Sequence, residues 1–222
     1  MSRKKNKLAK EIPSSILNKN SPFELKEAYS NLATNVIYLP IEEKTKKIAV
    51  TSSNYGEGKS SVAINLAIAL ASTLIDKKVL LIDADLRTSH VGEFLADVLP
   101  EYSAEKGLSE YLSSKDKKCN IKTSHIENLD VVFAGESSIN PAGLLNSDKM
   151  HDFLTGLDSK YDYVIIDTPP VNVVSDSILL VGRVNGYIIA AKTNYSTVPM
   201  LSSASESLEL VGAQIFGVVL SE

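Results

Sequence analysis

The sequence is poor in the residues that make covalent and metal staples. It has a single cysteine, Cys119, so no intramolecular disulfide can form and a reducing compartment is expected. Its three histidines, His90, His125 and His151, are widely separated and lack metal-ligand spacing with Cys119, which argues against zinc chemistry. Nowhere is there an apolar run of the roughly 20 residues that a membrane span needs, and the start lacks the apolar core of a signal peptide. A soluble, cytoplasmic protein is therefore expected. The formal net charge is only −4, so nothing in the overall balance attracts nucleic acid, and none is expected as a partner.

One stretch departs from this balance. The first ten residues, MSRKKNKLAK, hold five of the 23 Lys and Arg. Residues 1–20 read as a flexible basic tail, able to contribute about 1 kcal/mol per basic residue against an anionic surface. The remainder, 21–222, reads as one domain. With 44% hydrophobic residues it can bury a substantial core, and it contains no internal repeat, low-complexity tract or linker beyond residue 45.

A helix is expected from Ser21-Pro22-Phe23-Glu24, with Ser21 as cap and Pro22 in the first turn, to about Leu39, where Pro40 stops it. Apolar β-like runs follow at 46–53, 77–85, 128–135, 162–170, 186–194 and 213–221, with helical segments near 59–75, 107–114, 147–159, 175–184 and 197–211. Strands apolar on both faces and alternating with helices predict an α/β fold: a mostly parallel sheet covered by helices on both sides. Residues 100–126 read as an irregular helical excursion over the active edge. Ligands in such folds bind at the carboxyl ends of the strands, and the polar clusters fall there.

The first cluster is SSNYGEGKSS, residues 52–61. Gly58-Lys59-Ser60 matches the end of a phosphate-binding loop, although Ser53 stands where a leading Gly is usual. Successive backbone N–H groups of such a loop point at a polyphosphate. Ser53, Asn54, Tyr55, Gly56, Glu57, Gly58, Lys59, Ser60 and Ser61 are thus the candidate nucleotide-binding residues. Lys59 would reach the β- and γ-phosphates and Ser60 would ligate Mg²⁺. The second cluster, VLLIDADLR, puts Asp83 and Asp85 on one face of a strand end, where paired carboxylates can organise a metal or accept a proton. Arg87 follows as a further nucleotide contact. The third, YVIIDTPP, ends an apolar strand in Asp167, the arrangement that holds Mg²⁺ through water.

Together these motifs resemble the Walker A, A′ and B motifs of the bacterial tyrosine kinases of capsule and exopolysaccharide biosynthesis. SPFELKEAYSNLATNV, GLSEYLSS and NLDVVFAGESSINPAGLL are similar to further segments of that family, so the likeness spans about residues 20–222. It implies a P-loop NTPase fold in the deviant Walker subgroup that includes MinD and ParA. It also implies ATP and Mg²⁺ as cofactors, and autokinase transfer of the γ-phosphate to tyrosine hydroxyls. Lys59, Asp83 and Asp85 would be catalytic, with Asp83 as base or metal organiser, and Ser60, Asp83 and Asp167 would be the metal residues. The implied partners are a membrane-bound polysaccharide co-polymerase that activates the kinase, other copies of the chain in a homo-oligomer, and tyrosine-containing acceptors. The protein would then sit at the inner face of the cell membrane through its partner.

The sequence departs from the family at named places. GVVLSE is not followed by the family's Tyr-rich tail, and the nine tyrosines are scattered, leaving open a tail outside this sequence or a different acceptor. Glu27 is followed by Ser30 and Ala33 where the family often has arginines for ring assembly. Arg87-Thr88-Ser89 stands where some members have Arg-Lys-Pro, and Ser221 where Asn is usual. A second reading is a MinD/ParA-like switch ATPase, but its signature Lys would fall at Asn54. A third is a nucleotide-dependent regulator of polysaccharide assembly without catalysis.

Overall fold

The computed structural model describes residues 16–95 and 106–221. Seven strands form one sheet: β1 (Lys46–Ser52), β2 (Val79–Asp83), β3 (Lys122–Thr123), β4 (Leu129–Val132), β5 (Tyr163–Asp167), β6 (Gly186–Lys192) and β7 (Ile215–Ser221). Their order is β3-β4-β2-β5-β1-β6-β7, all parallel except β3, which runs against β4. The predicted α/β class and parallel sheet are what the structure has. Alternate residues of each strand feed opposite faces. Ile48, Val50, Leu81 and Ile165 face a core built with α1 (Phe23–Ile37) and α2 (Lys59–Thr73). Leu80, Ile82, Val164 and Ile166 face α4 (Leu108–Ser113), α5 (Pro141–Leu145) and α6 (Asp148–Thr155), while Ala49, Tyr187 and Ile189 face α7 (Val198–Glu209). This two-sided burial is why the strands are continuous apolar runs rather than alternating ones.

Helix α2 is buried from Val62 to Ala71 and follows the strand carrying the glycine-rich loop. Burying a helix on all sides needs apolar residues all round, which SVAINLAIALA supplies. Helix α1 packs on it through Tyr29, Ala33 and Val36. The end of α1 and the turn after it are met by Lys46, whose Nζ donates to Ile37 O at 2.6 Å and Leu39 O at 3.0 Å.

Several expectations shift. Pro22, not Ser21, is the N-cap of α1; the Ser21 hydroxyl instead accepts from the Asn18 N–H at 2.9 Å. The expected tail, 1–20, lies outside the described residues up to position 15. Within it Ile16 is fully buried and the Leu17 N–H donates to Asn65 Oδ1 at 2.8 Å, so packed structure begins before residue 21. The helix expected over 175–184 is a 3-10 helix, Ser175–Leu180. The excursion at 100–126 contains α4 and strand β3 among its described residues. Helices α3 (Val91–Leu95) and α5 went unpredicted because each is barely longer than a turn.

Helix α4 is fixed against the end of β4 by an unusually close approach. A Cβ on Gly107 would lie 2.2 Å from Gly135 N, so only glycine fits there. The Glu110 carboxylate then accepts from the Gly107 and Glu136 N–H groups at 2.6 and 2.7 Å. Those bonds hold its pKa below the ordinary value even though burial works the other way.

Candidate active site

The three motif-bearing strands are neighbours in the order β2-β5-β1, so their polar ends converge. Register pairs Asp83 with Asp167 and places Val50 of β1 beside Asp167. A parallel sheet with three apolar strands ending at one level delivers the glycine-rich loop and both strand-end aspartates to a single place without a long excursion of chain.

The loop from Ser53 to Gly58 is organised by its own glutamate. Glu57 is fully buried, and its carboxylate accepts the Ser53 hydroxyl at 2.7 and 2.8 Å, the Asn54 N–H at 2.6 Å and the Ser196 hydroxyl. Ser53 thus replaces a leading Gly with a hydroxyl that pins the loop from inside. The side chain of Glu57 is turned inward, so what it can give a phosphate is its backbone. Gly56 and Gly58 have φ of +78° and +80°, angles that favour glycine, and a Cβ on Gly58 would meet Ser221 Oγ at 3.1 Å. Ser221, on β7, therefore sits against the loop. Asn54 carries its own short bond, accepting the Tyr55 N–H at 2.8 Å, and the Tyr55 ring is 44% exposed. Ser61 lies half-buried in the first turn of α2.

Lys59 and Ser60 are buried at the start of α2. Lys59 Nζ is 3.0 Å from Asp85 Oδ2 and 3.7 Å from Asp167 Oδ1, with Ser60 Oγ at 3.3 Å. Burial alone would lower the Lys59 pKa; Asp167 and Asp85 more than offset this and raise it, so the ammonium stays charged. Asp85 also accepts the N–H groups of Arg87 and Thr88 at 3.3 and 3.0 Å, tying Lys59 to the turn after β2.

The two strand-end aspartates differ. Asp83 is fully buried and both oxygens are engaged: Oδ1 accepts the Asp85 N–H at 3.1 Å and Oδ2 the Ser89 hydroxyl at 2.5 Å. Burial, reinforced by Asp167, pushes its carboxyl up to about 8, against the pull of Ser89 and Lys59. Asp167 is equally buried, yet neither oxygen has a hydrogen-bond partner. Burial raises its pKa as well, with Lys59 and the nearby Ser60 hydroxyl opposing. A buried carboxylate is costly unless positive charge faces it; the Lys59 ammonium, 3.7 Å from Oδ1, supplies part of this, and a further cation would supply more.

Arg87 makes a two-pronged pair with Asp176, Nε to Oδ2 at 2.7 Å and Nη2 to Oδ1 at 2.9 Å. Asp176 is fully buried, and its 3-10 helix is thereby locked to the turn after β2. That commits two of the Arg87 nitrogens and leaves Nη1 for any anion. The sequence reading missed Asp176, Ser89 and Ser196. All three sit outside the motifs; a polar residue in SDSILL or KTNYST gives no signal of where its partner lies.

No three carboxylate, imidazole or thiolate groups converge as a metal cage among the described residues. The site still suits Mg²⁺, which takes one or two protein oxygens and completes its shell with phosphate and water. The Asp167 carboxylate, which accepts no hydrogen bond, and the Ser60 hydroxyl are suitable oxygens.

The profile of the AAA domain family matches residues 45–214. The tyrosine-protein kinase CpsD of Streptococcus pneumoniae serotype 4 is 35% identical over 197 residues, covering 88% of this chain and 83% of that protein. The tyrosine-protein kinase YwqD of Bacillus subtilis is 32% identical, covering 88% and 80%. The chain belongs to the bacterial tyrosine kinases. The kinase domain of the Escherichia coli tyrosine kinase ETK superposes with a TM-score of 0.81 at 32% identity, covering 92% of this chain and 81% of that one. MinD of Pyrococcus horikoshii shares the fold, with a TM-score of 0.63 at 22% identity, over 79% of this chain and 70% of its own. The chain is thus a bacterial tyrosine kinase on a nucleotide-binding P-loop fold. Among the described residues, no helix is long and apolar enough to cross a membrane.

Proposed function

We propose that this protein transfers the γ-phosphate of ATP to tyrosine hydroxyls, in the control of capsular or extracellular polysaccharide assembly. The observation that carries the mechanism is the contrast between Asp83 and Asp167 in paired register. Asp167, whose oxygens accept no hydrogen bond from the protein, and Ser60 would hold Mg²⁺, which when bound would supply charge neutralisation for the phosphates. Asp83, whose oxygens already accept hydrogen bonds, serves as proton acceptor rather than as metal ligand. Lys59, kept charged and aimed by Asp85, neutralises the transferred phosphoryl group. The N–H groups of the Gly56–Ser61 stretch cradle the phosphates. The acceptor oxygen bonds to the γ-phosphorus, ADP leaves, and the hydroxyl proton passes towards Asp83. Positioning and charge neutralisation provide most of the acceleration.

The activator is a membrane-bound polysaccharide co-polymerase, which holds the kinase at the inner face of the membrane; copies of the chain phosphorylate one another or another tyrosine-bearing protein. The test is to incubate the protein with Mg-ATP and a tyrosine-rich polypeptide, with and without the cytoplasmic segment of such an activator, and to measure phosphotyrosine. Lys59→Met is expected to abolish it. Phosphotyrosine that persists in Lys59→Met defeats the site assignment, and ATP hydrolysis without phosphotyrosine makes the protein a switch ATPase.

A further inference from the structure

The proton acceptor has an access problem. Asp83 is fully buried at the end of β2, so an acceptor hydroxyl carried on another polypeptide cannot touch its carboxylate directly. The chain just beyond it comes to the surface: Arg87, Thr88 and His90 are all exposed. Ser89, between them, is half-buried and turned inward, and its hydroxyl donates to Asp83 Oδ2 at 2.5 Å. The turn is held on both sides, so this contact does not depend on a loose loop. The Asp85 carboxylate accepts the Arg87 and Thr88 N–H groups, Arg87 grips Asp176, and the Ser138 N–H donates to Leu86 O at 3.1 Å. Val91, opening α3, is fully buried.

We propose that Ser89 is a bridging catalytic hydroxyl, which accepts the proton of the incoming tyrosine while passing its own to Asp83. This rests on the reading of Asp83 as proton acceptor given above. As the acceptor oxygen bonds to phosphorus, its proton moves to Ser89 Oγ and the Ser89 proton moves to Asp83 Oδ2. Ser89 ends neutral, Asp83 ends protonated, and ADP carries away the electrons of the broken P–O bond. A hydroxyl is suited to this because it donates and accepts at once. The geometry is that of an acid–base pair within hydrogen-bond reach.

The test compares the parent full-length chain with Ser89→Ala, Ser89→Thr and Asp83→Asn, under activator conditions in which the parent is active. Phosphotransfer to a tyrosine-rich polypeptide, the KM for ATP and the melting temperature are measured for each. The expected result is a fall in kcat of about 10- to 100-fold in Ser89→Ala, part of the 10²–10⁴-fold span of such catalysis. The KM for ATP and the melting temperature should stay near the parent's, and Ser89→Thr should recover most of the rate. A Ser89→Ala protein as fast as the parent, or faster, overturns the proposal. So does a loss shared equally by Ser89→Thr, or one that tracks a raised KM or a lowered melting temperature, since either marks a structural role. If Asp83→Asn itself retains full activity, the underlying reading of Asp83 fails, and that outcome is distinguishable from failure of Ser89 alone.

Discussion

The ends of β2 and β5 carry the same residue, in direct register and at the same depth, but in different company. Asp83 is wrapped by the turn that follows it, through the Asp85 N–H and the Ser89 hydroxyl. After Asp167 the chain leaves through Thr168 and Pro169; Thr168 spends its N–H and hydroxyl on Val50 O, at 3.0 and 2.9 Å, and offers nothing back to the aspartate. The difference teaches that burial alone does not assign a role to a strand-end carboxylate. In the proposed mechanism, the aspartate that its own turn hydrogen-bonds takes the proton, and the one without such bonds takes the cation.

The comparison breaks most severely at Asp167. Asp167→Asn removes the negative charge that faces Lys59 and, in the proposed mechanism, Mg²⁺. Phosphotransfer should fall by about 10²–10³-fold, the scale of losing one electrostatic contact to the phosphoryl group, and the Mg²⁺ dependence should move to higher concentration. A Mg²⁺ titration of the residual activity checks this.

The next effect concerns stability against pH. Without nucleotide the Asp83 carboxyl is raised in the folded state to about 8, so its neutral form prevails below that pH and the proton-accepting carboxylate above it. Stability from this group is fully present below the unfolded pKa of about 4 and is lost as pH rises through about 8. In the absence of nucleotide, Asp83→Asn should therefore match the parent near pH 4 and exceed it at alkaline pH by at least about 1 kcal/mol. Denaturant melts at the two pH values decide it.

Smaller still is the effect of Ser53→Ala, which takes one donor from the buried Glu57 carboxylate but leaves the Asn54 N–H and Ser196. A loss of up to about 1 kcal/mol is expected in thermal unfolding, with weaker ATP binding as the loop loosens. The least effect is that of Tyr55→Pro. Proline would stiffen the loop but would remove the N–H that Tyr55 donates to Asn54 Oδ1. The two offset each other, and stability should change by less than about 0.5 kcal/mol.

Much of this was legible in the sequence because the informative spacings are short. GEGKS, LIDADL and VIIDTPP are each local, and parallel topology carries their ends together without further instruction. The sheet could be read from apolar runs that persist on both faces. What could not be read depends on pairs distant in sequence: Arg87 with Asp176 is 89 residues apart, and Glu57 with Ser196 is 139. That Ser53, standing where a leading Gly is usual, pins the loop could not be read, because its partner, Glu57, would ordinarily be placed in solvent. In the sequence, Ser89 reads only as a departure from Arg-Lys-Pro. Its meaning required knowing that the turn folds back on Asp83. The cap of α1 slipped by one residue because the Ser21 hydroxyl was claimed by the segment before it.

The division of labour between the two aspartates is tested most directly by Mg-ATP binding and single-turnover phosphotransfer measured together in Asp83→Asn. The account predicts Mg²⁺ and ATP affinities within about threefold of the parent's, less than 1 kcal/mol, with transfer slowed by about 10²–10⁴-fold. Loss of Mg²⁺ affinity in that variant, or transfer at the parent's rate, would contradict it.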